Sequence, residues 1–116
     1  MLPGRMRRRL ASWGFAVVRG RSMQPTLYDG DLLLVRHGAS PREGALVVVR
    51  LPDGLMAVKR ATTRRDGGWW VERDNPAEGV DSWLVGAIPD EDVVEVVRAR
   101  VRPLLRRRRT ARSRPG

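Results

Sequence analysis

The chain has 116 residues, which suits a single domain with one hydrophobic core. It contains no cysteine, so disulfides, zinc–thiolate sites and cysteine nucleophiles are excluded, and a reducing compartment fits this composition. The formal net charge of +10 would favour nucleic acid or anionic lipid as a partner. However, four arginines precede residue 10 and seven follow residue 101, whereas 10–101 holds all 13 acidic residues and 12 basic ones. The excess charge therefore belongs to the two ends, and the middle is close to neutral.

This distribution predicts a basic tail over 1–12, a folded domain over 13–103 and a disordered arginine-rich tail over 104–116. Weak contact of the tails with a membrane surface or nucleic acid is a secondary expectation. The apolar run Leu10–Val18 has about half of the roughly 20 residues that a membrane-spanning helix needs. Because no small-residue cleavage site follows it, we expect a cytoplasmic protein rather than a secreted one.

In chain order, the residue pattern predicts a mainly β fold, either a sandwich or an open barrel with short helical turns. Short helices are expected near Gln24 and near Pro89. Asp53-Gly54 and Asp66-Gly67-Gly68 are typical of hairpin turns. The predicted strands are short, rich in Val and Trp and bounded by turn residues, and they cover 14–19, 31–36, 44–50, 55–61, 68–72 and 93–101.

The segment 20–27 carries a candidate nucleophile, Ser22. A nucleophilic serine needs an exposed hydroxyl on a constrained backbone, with N–H groups free to hold an oxyanion. Gly20 permits a close backbone approach, Pro25 fixes the turn, and Met23 is an apolar anchor beside the hydroxyl. Taken alone, an ordinary serine between a strand and a turn remains the better interpretation.

Lys59 is the only lysine among 23 basic residues. Arginine stays protonated and cannot act as a base, whereas a desolvated lysine amine can lose its proton. Strand alternation places Lys59 on one face with Leu55, Ala57 and Ala61, a mostly apolar environment. Taken alone, a surface lysine explains the residue more simply.

A polar segment follows the Trp69-Trp70 strand and contains Asp74-Asn75 and Asp81-Ser82. Asp and Asn side chains cap turns and can hold a loop against a sheet. Asp81 or Ser82 could also orient the amine of Lys59. An ordinary polar loop is the alternative interpretation.

Together the three segments resemble the type I signal peptidases, which are similar in their Ser–Lys core to the LexA-type self-cleaving repressors. The serine motif Gly-x-Ser-Met-x-Pro-Thr-Leu, followed by Gly-Asp, matches residues 20–31, the Lys-Arg motif matches 58–60, and the Asp-Asn, Asp-Ser and Gly motif matches 74–86. The resemblance implies a signal-peptidase-like β fold and a serine endopeptidase without metal or cofactor. It implies Ser22 as nucleophile and Lys59 as base, with oxyanion or substrate-binding roles for Gly20, Met23 and Pro25 and supporting roles for Asp74, Asn75, Asp81 and Ser82.

Three positions depart from the family pattern. Arg73 replaces the Gly before Asp-Asn, Gly79 replaces a Ser that contacts the lysine amine in many members, and Trp83 replaces the Arg after Asp-Ser. The usual hydroxyl partner of the lysine and the usual arginine partner of Asp81 are therefore missing, and a catalytically degenerate binding module stays an alternative.

Lys59-Arg60-Ala61, the strand Gly68-Trp69-Trp70-Val71 and the Asp74-Asn75 pair close behind it make the short chain most similar to the nickel-type superoxide dismutase maturation proteases. This resemblance implies removal of an N-terminal leader from that precursor, which would bind as an extended strand. A membrane-associated signal peptidase, held by its basic tail at the inner face of the membrane, is one alternative. A self-cleaving repressor is less favoured, because only about 20 residues precede Ser22. His37, the single histidine, has no evident Asp to orient it and no match in the family, so it is not favoured as the base.

Overall fold

The computed structural model describes residues 12–101. Apart from Ser12, the two predicted tails lie outside the described residues. The elements are β1 (Trp13–Val17), β2 (Leu32–His37), β3 (Leu46–Arg50), β4 (Met56–Arg65), β5 (Gly68–Glu72), α1 (Ser82–Val85), β6 (Ile88–Pro89), a 3-10 helix (Asp90–Asp92) and β7 (Val93–Val101).

The described strands form one seven-stranded sheet in the order β1-β2-β7-β3-β4-β5-β6. All neighbouring strands are antiparallel, and the sheet curls into a half-barrel. The last strand, β7, lies between β2 and β3 and so joins the N-terminal hairpin to the rest of the sheet. The prediction of a mainly β fold is confirmed, and of the two predicted architectures the described strands form the open barrel.

Both predicted hairpin turns are present. Asp66 and Gly67 join β4 to β5 with φ angles of 54° and 78°, the left-handed backbone that a two-residue hairpin turn requires. Between β3 and β4, the N–H of Leu51 donates to the Leu55 carbonyl at 2.8 Å, and the Asp53 carboxylate accepts from the Leu55 N–H at 3.0 Å. The turn residues therefore set the register of β3, β4 and β5.

Four local elements differ from the sequence prediction. Strand β4 continues to Arg65, because it pairs with β5 beyond a bulge between Ala61 and Thr63. The two-residue strand β6 was not predicted, since a pair this short exists only through its contact with Gly68 and Trp69. The helix expected near Gln24 is a series of turns. Helix α1, which was not predicted, begins at Ser82 and is capped by Asp81, whose side chain accepts from the Trp83 N–H.

The core consists of two apolar clusters on the two faces of the sheet. In β3, the consecutive residues Val47, Val48 and Val49 are all buried, so this strand is covered on both faces. Val47 lies directly opposite Lys59 of β4, which places the amine-bearing side chain on a buried face. One cluster contains Val47, Val49, Ala61, Trp69, Val71, Ile88 and Val96, and the other contains Val18, Met23, Leu27, Leu33, Val35 and Val48.

Gly68 provides a test of the close contact between β5 and β6. A Cβ at this position would lie 2.2 Å from the carbonyl oxygen of Ile88, so Gly68→Ala must push the two backbones apart. We expect the free energy of unfolding to fall by about 1–3 kcal/mol, as for other overpacked sites. Gly14→Ala is the matched control, because its Cβ would meet Val35 at an ordinary 3.8 Å. Equal chemical denaturation midpoints for the two variants would contradict this reading of the strand contact.

Candidate active site

Ser22 lies in the loop 18–31, here called the serine loop, which joins β1 to β2. The buried side chains of Met23 and Leu27 anchor this loop in the core, and the Leu27 N–H donates to the Met23 carbonyl at 2.9 Å. At its start, the N–H of Gly20, which has a φ of 85°, donates to the Asp29 carboxylate at 2.7 Å. The loop is thus fixed from both sides, and the Ser22 side chain is only half-buried.

Lys59 extends from strand β4 to the Ser22 side chain. Its side chain is 2% exposed, and its Nζ donates a hydrogen bond to Ser22 Oγ at 3.2 Å. The two residues are 37 positions apart in the chain, so only the fold brings them together. A lysine amine beside a serine hydroxyl is the geometry needed for proton transfer between them.

Burial is the main influence on the charge of Lys59. Desolvation lowers the pKa of the amine, because the charged form loses its hydration inside the sheet. The negative charge of Asp81 opposes this effect, and the positive charge of Arg73 reinforces it. The pKa of Lys59 therefore lies below its ordinary value, which favours the neutral amine that a general base requires.

Asp74 links the polar segment to both neighbouring elements. Its carboxylate accepts from Arg60 Nε at 3.0 Å and from Arg60 Nη2 at 2.7 Å, and Thr26 Oγ1 donates to it at 2.5 Å. The two-pronged bond with Arg60 holds the pKa of Asp74 below its usual range. Asp74 thereby ties the serine loop, through Thr26, to strand β4.

Asn75 binds the backbone on either side of the nucleophile. Its own N–H donates to the carbonyl of Ser22 at 2.8 Å, and its side-chain amide donates to the carbonyl of Arg21 at 2.9 Å. The Asn75 side-chain oxygen accepts from the Ala77 N–H at 3.0 Å, which closes a local turn. Asn75 thus docks the segment 73–81, here called the docking loop, onto the serine loop.

Asp81 and Ser82 lie at the end of the docking loop and are both buried. Asp81 caps α1 and also accepts from the Arg73 N–H at 3.2 Å, so it acts on Lys59 through its charge. The Ser82 hydroxyl accepts from the Val71 N–H at 2.8 Å. The Ser82 hydroxyl is therefore bonded to strand β5, whereas the Lys59 amine donates its hydrogen bond to Ser22.

Gly79 brings the backbone of the docking loop close to the Ser22 side chain. A Cβ at Gly79 would lie 2.6 Å from the Ser22 Cβ and 3.5 Å from Lys59 Nζ, and the φ of Gly79 is 91°. A serine at this position, as in the family pattern, would need the loop to move away from the nucleophile. The position that resembles the site of a lysine-contacting hydroxyl is here a bare backbone contact.

The residues predicted to bind the oxyanion or substrate have different environments. In the described part of the chain, the Ser22 N–H donates to no protein acceptor, so it is available to an oxyanion, whereas the Gly20 N–H is taken by Asp29. Met23 is buried in the core and also lines a groove beside Ser22. Pro25 follows a cis peptide bond within the same loop.

The groove beside Ser22 has a volume of about 140 Å³. Its walls come from the end of β1 and from strands β3 and β4. Its lining is mainly apolar and consists of Ala16, Val17, Val18, Arg19, Ser22, Met23, Val48, Met56, Ala57 and Val58. Such a groove suits a small apolar side chain.

His37 lies away from this site. It ends β2 at the side next to Ser12, opposite the end that leads into the serine loop, and its Nδ1 is 3.7 Å from the carboxylate of Glu95. Among residues 12–101, no three His, Asp or Glu side chains are grouped as metal ligands would be.

Sequence reasoning gave no role in the site to Thr26 and Asp29, and it treated Arg73 only as a departure from a pattern. Thr26 holds the serine loop through its hydrogen bond to Asp74, which is distant in sequence. Asp29 holds it locally, by accepting from the Gly20 N–H. Arg73 reaches Asp81 and the carbonyl of Gly79. The position of Arg73 directly before Asp74-Asn75 was the available signal of a role in the site, but the direction of its side chain depends on the fold.

A buried lysine amine that donates to a serine hydroxyl thus lies on a curled antiparallel sheet. Residues 2–99 match the Peptidase S24-like family, and the chain belongs to that family. It is also 43% identical over 60 residues to a LexA repressor of Burkholderia thailandensis. That match covers 51% of this chain and 27% of the repressor, so the chain spans about a quarter of this relative's length. None of the helices among residues 12–101 is long and apolar enough to cross a bilayer.

Replacing Lys59 by Met tests the cost of burying the amine. Because the folded-state pKa is lowered, that cost is full below the folded pKa and disappears as pH rises toward the ordinary lysine pKa. Lys59→Met should therefore raise the free energy of unfolding near neutral pH by about 1 kcal/mol, within the usual range of single substitutions. The gain should shrink in alkaline solution. Denaturation curves from pH 6 to pH 10 give the measurement, and a gain that grows with pH would refute the sign.

Proposed function

We propose that the chain is a serine endopeptidase in which Ser22 is the nucleophile and Lys59 the general base. The observation that carries this proposal is the 3.2 Å hydrogen bond from a buried Lys59 amine to Ser22 Oγ. Membership of the Peptidase S24-like family supports it. The lowered pKa of Lys59 supports it independently, since a protonated amine could not accept the hydroxyl proton.

The proposed reaction begins when neutral Lys59 takes the hydroxyl proton of Ser22 as Oγ attacks the scissile carbonyl. The N–H of Ser22 donates to the oxyanion, and one such donor contributes about 3–4 kcal/mol in studied proteases. Lys59 then protonates the leaving amine, and an acyl-enzyme remains on Ser22. Water that is deprotonated by Lys59 releases the acyl group and restores the hydroxyl.

The substrate is proposed to bind as an extended strand along the groove beside Ser22. Among the described strands, β1 is an edge of the sheet, so its outer backbone groups can pair with a peptide. Val17 and Met56 border the groove and are 43% and 48% exposed, which leaves apolar surface for a substrate side chain. We place a small apolar residue of the substrate in this groove.

We further propose that the reaction removes an N-terminal leader from a precursor protein, with the nickel superoxide dismutase precursor as the specific candidate. This proposal depends on the resemblance of residues 59–61, strand 68–71 and Asp74-Asn75 to the nickel-type maturation proteases. The proposed location is the cytoplasm, with the inner face of the membrane as the alternative. Cell fractionation separates these two locations.

Self-cleavage of a repressor-type protein is a second candidate function, favoured by the similarity to a LexA repressor. The two functions differ in molecularity. Cleavage of a precursor by a separate enzyme molecule accelerates with enzyme concentration, whereas self-cleavage within one chain has a rate that is independent of concentration. A dilution series of the purified protein, with and without the precursor, distinguishes them.

The dyad is tested by incubating the protein with the precursor and sequencing the new N-terminus. Ser22→Ala and Lys59→Arg should each lower the cleavage rate by about 10³-fold or more, because removing a nucleophile or its base has effects of this order. Ser40→Ala is the matched control and should cleave at the normal rate, since Ser40 lies outside the site. A Lys59→Arg protein with near-normal activity would exclude the dyad, and an inactive native protein would favour the degenerate binding module.

Ala57→Leu tests the groove. The three added carbon atoms would occupy the space beside Ser22, so kcat/KM should fall about tenfold or more for substrates with Val at the residue placed there. Substrates with Gly at the same residue serve as the internal control and should be affected less. An equal loss on both substrates would place the selective pocket elsewhere.

A further inference from the structure

Arg73 connects the two ends of the docking loop. Its guanidinium donates to the carbonyl of Gly79, and its Nε lies 3.7 Å from the carboxylate of Asp81. Its backbone N–H donates to the same carboxylate at 3.2 Å. One residue therefore holds the loop closed through both its main chain and its side chain.

This closure has a direct consequence for the nucleophile. Gly79 is the residue whose backbone lies against the Ser22 Cβ, so its position limits where the Ser22 side chain can be. The opposite side of the loop is fixed to the Ser22 carbonyl by Asn75. Because Arg73 binds the carbonyl of Gly79 itself, a change in its side chain is transmitted to Ser22 by one residue.

The charge of Arg73 also reaches the base. The charged groups that act on the Lys59 amine are Asp81 and Arg73, with opposite signs. Asp81 is 5% exposed, and Arg73 is the cation paired with it. Burial is the largest influence on the pKa of Lys59, and the positive charge of Arg73 adds to it by opposing part of the effect of Asp81.

We propose that Arg73 is a positioning residue of the Ser22–Lys59 dyad, which holds Gly79 against Ser22 and pairs with Asp81. This proposal rests on the proposed peptidase function. It gives a role to two of the departures from the family pattern, Arg73 and Gly79. Trp83 stands where the resembled family has an arginine, and Arg73 supplies a cation to Asp81 from the other side of the loop.

The first experiment compares the pH dependence of kcat/KM for precursor cleavage in the native protein, Arg73→Gln and Arg73→Lys. A neighbouring charge moves a pKa by about one unit, which changes the neutral fraction of an amine about tenfold. Arg73→Gln should therefore lose about tenfold in kcat/KM at neutral pH and recover part of it in alkaline solution. Arg73→Lys retains the charge and should keep the native midpoint of the profile, with a lower plateau because it lacks the two-pronged guanidinium.

The second experiment needs no catalysis. Since Lys59 is the only lysine, protein labelled with ¹³C-lysine has a single side-chain signal whose titration can be followed by NMR. Arg73→Gln should raise the midpoint of this titration. The measurement is made in a Ser22→Ala background as well, so it tests the role of Arg73 even if the proposed peptidase function fails.

The matched control is Arg64→Gln, which removes an exposed Arg–Asp pair formed with Asp90. It should leave the cleavage profile and the Lys59 titration unchanged. Thermal unfolding establishes that each variant is folded, and if Arg73→Gln is not, the profile of Arg73→Lys decides. Two results would overturn the proposal. One is a native Lys59 titration in folded Arg73→Gln. The other is a pH-profile midpoint in Arg73→Lys that is displaced from the native midpoint while that of Arg64→Gln is unchanged.

Discussion

The hydrogen bond between the buried amine of Lys59 and the hydroxyl of Ser22 is the interaction on which the rest of the site depends. A buried ammonium is costly, and the cost is reduced when the amine loses its proton. The sheet imposes this condition by placing Lys59 opposite Val47 on a covered face. The same burial that weakens the fold therefore favours the neutral amine that the proposed base requires, and the serine loop provides its hydrogen-bond partner.

The serine loop and the docking loop are irregular, and each depends on the other for its shape. Asp74 and Asn75 bond to groups around Ser22, while Met23 and Leu27 anchor the serine loop in the core. Charged hydrogen bonds such as those between Asp74 and Arg60 contribute more than neutral ones, because one or both partners are ionised. The site is therefore held by polar contacts between loops on a scaffold of apolar strands.

The charges of Asp81 and Arg73 also act on the Lys59 amine, with opposite signs. Asp81 is needed structurally, since it caps α1 and accepts from the backbone of the docking loop. Its charge nevertheless favours the protonated amine, and the cation of Arg73 opposes that effect. Arg73 therefore pairs with Asp81 within the same loop. The arrangement keeps the structural use of Asp81 while limiting the effect of its charge on the Lys59 amine.

The sequence by itself determined the strand-rich fold and the hairpin turns at Asp53 and Asp66, because alternation and turn chemistry are local properties. Ser22 and Lys59 stood out only through the joint resemblance of three segments to a known family, and the fold then brought their side chains within hydrogen-bond distance. Local patterns could not predict β6, the extension of β4 or α1, since each is stabilised by a pairing or a cap formed on folding. Only the tertiary structure decided that Gly79 meets Ser22, that Ser82 bonds to Val71 and that Arg73 turns toward Asp81. Those contacts depend on how two loops meet across the sheet, which no single segment encodes.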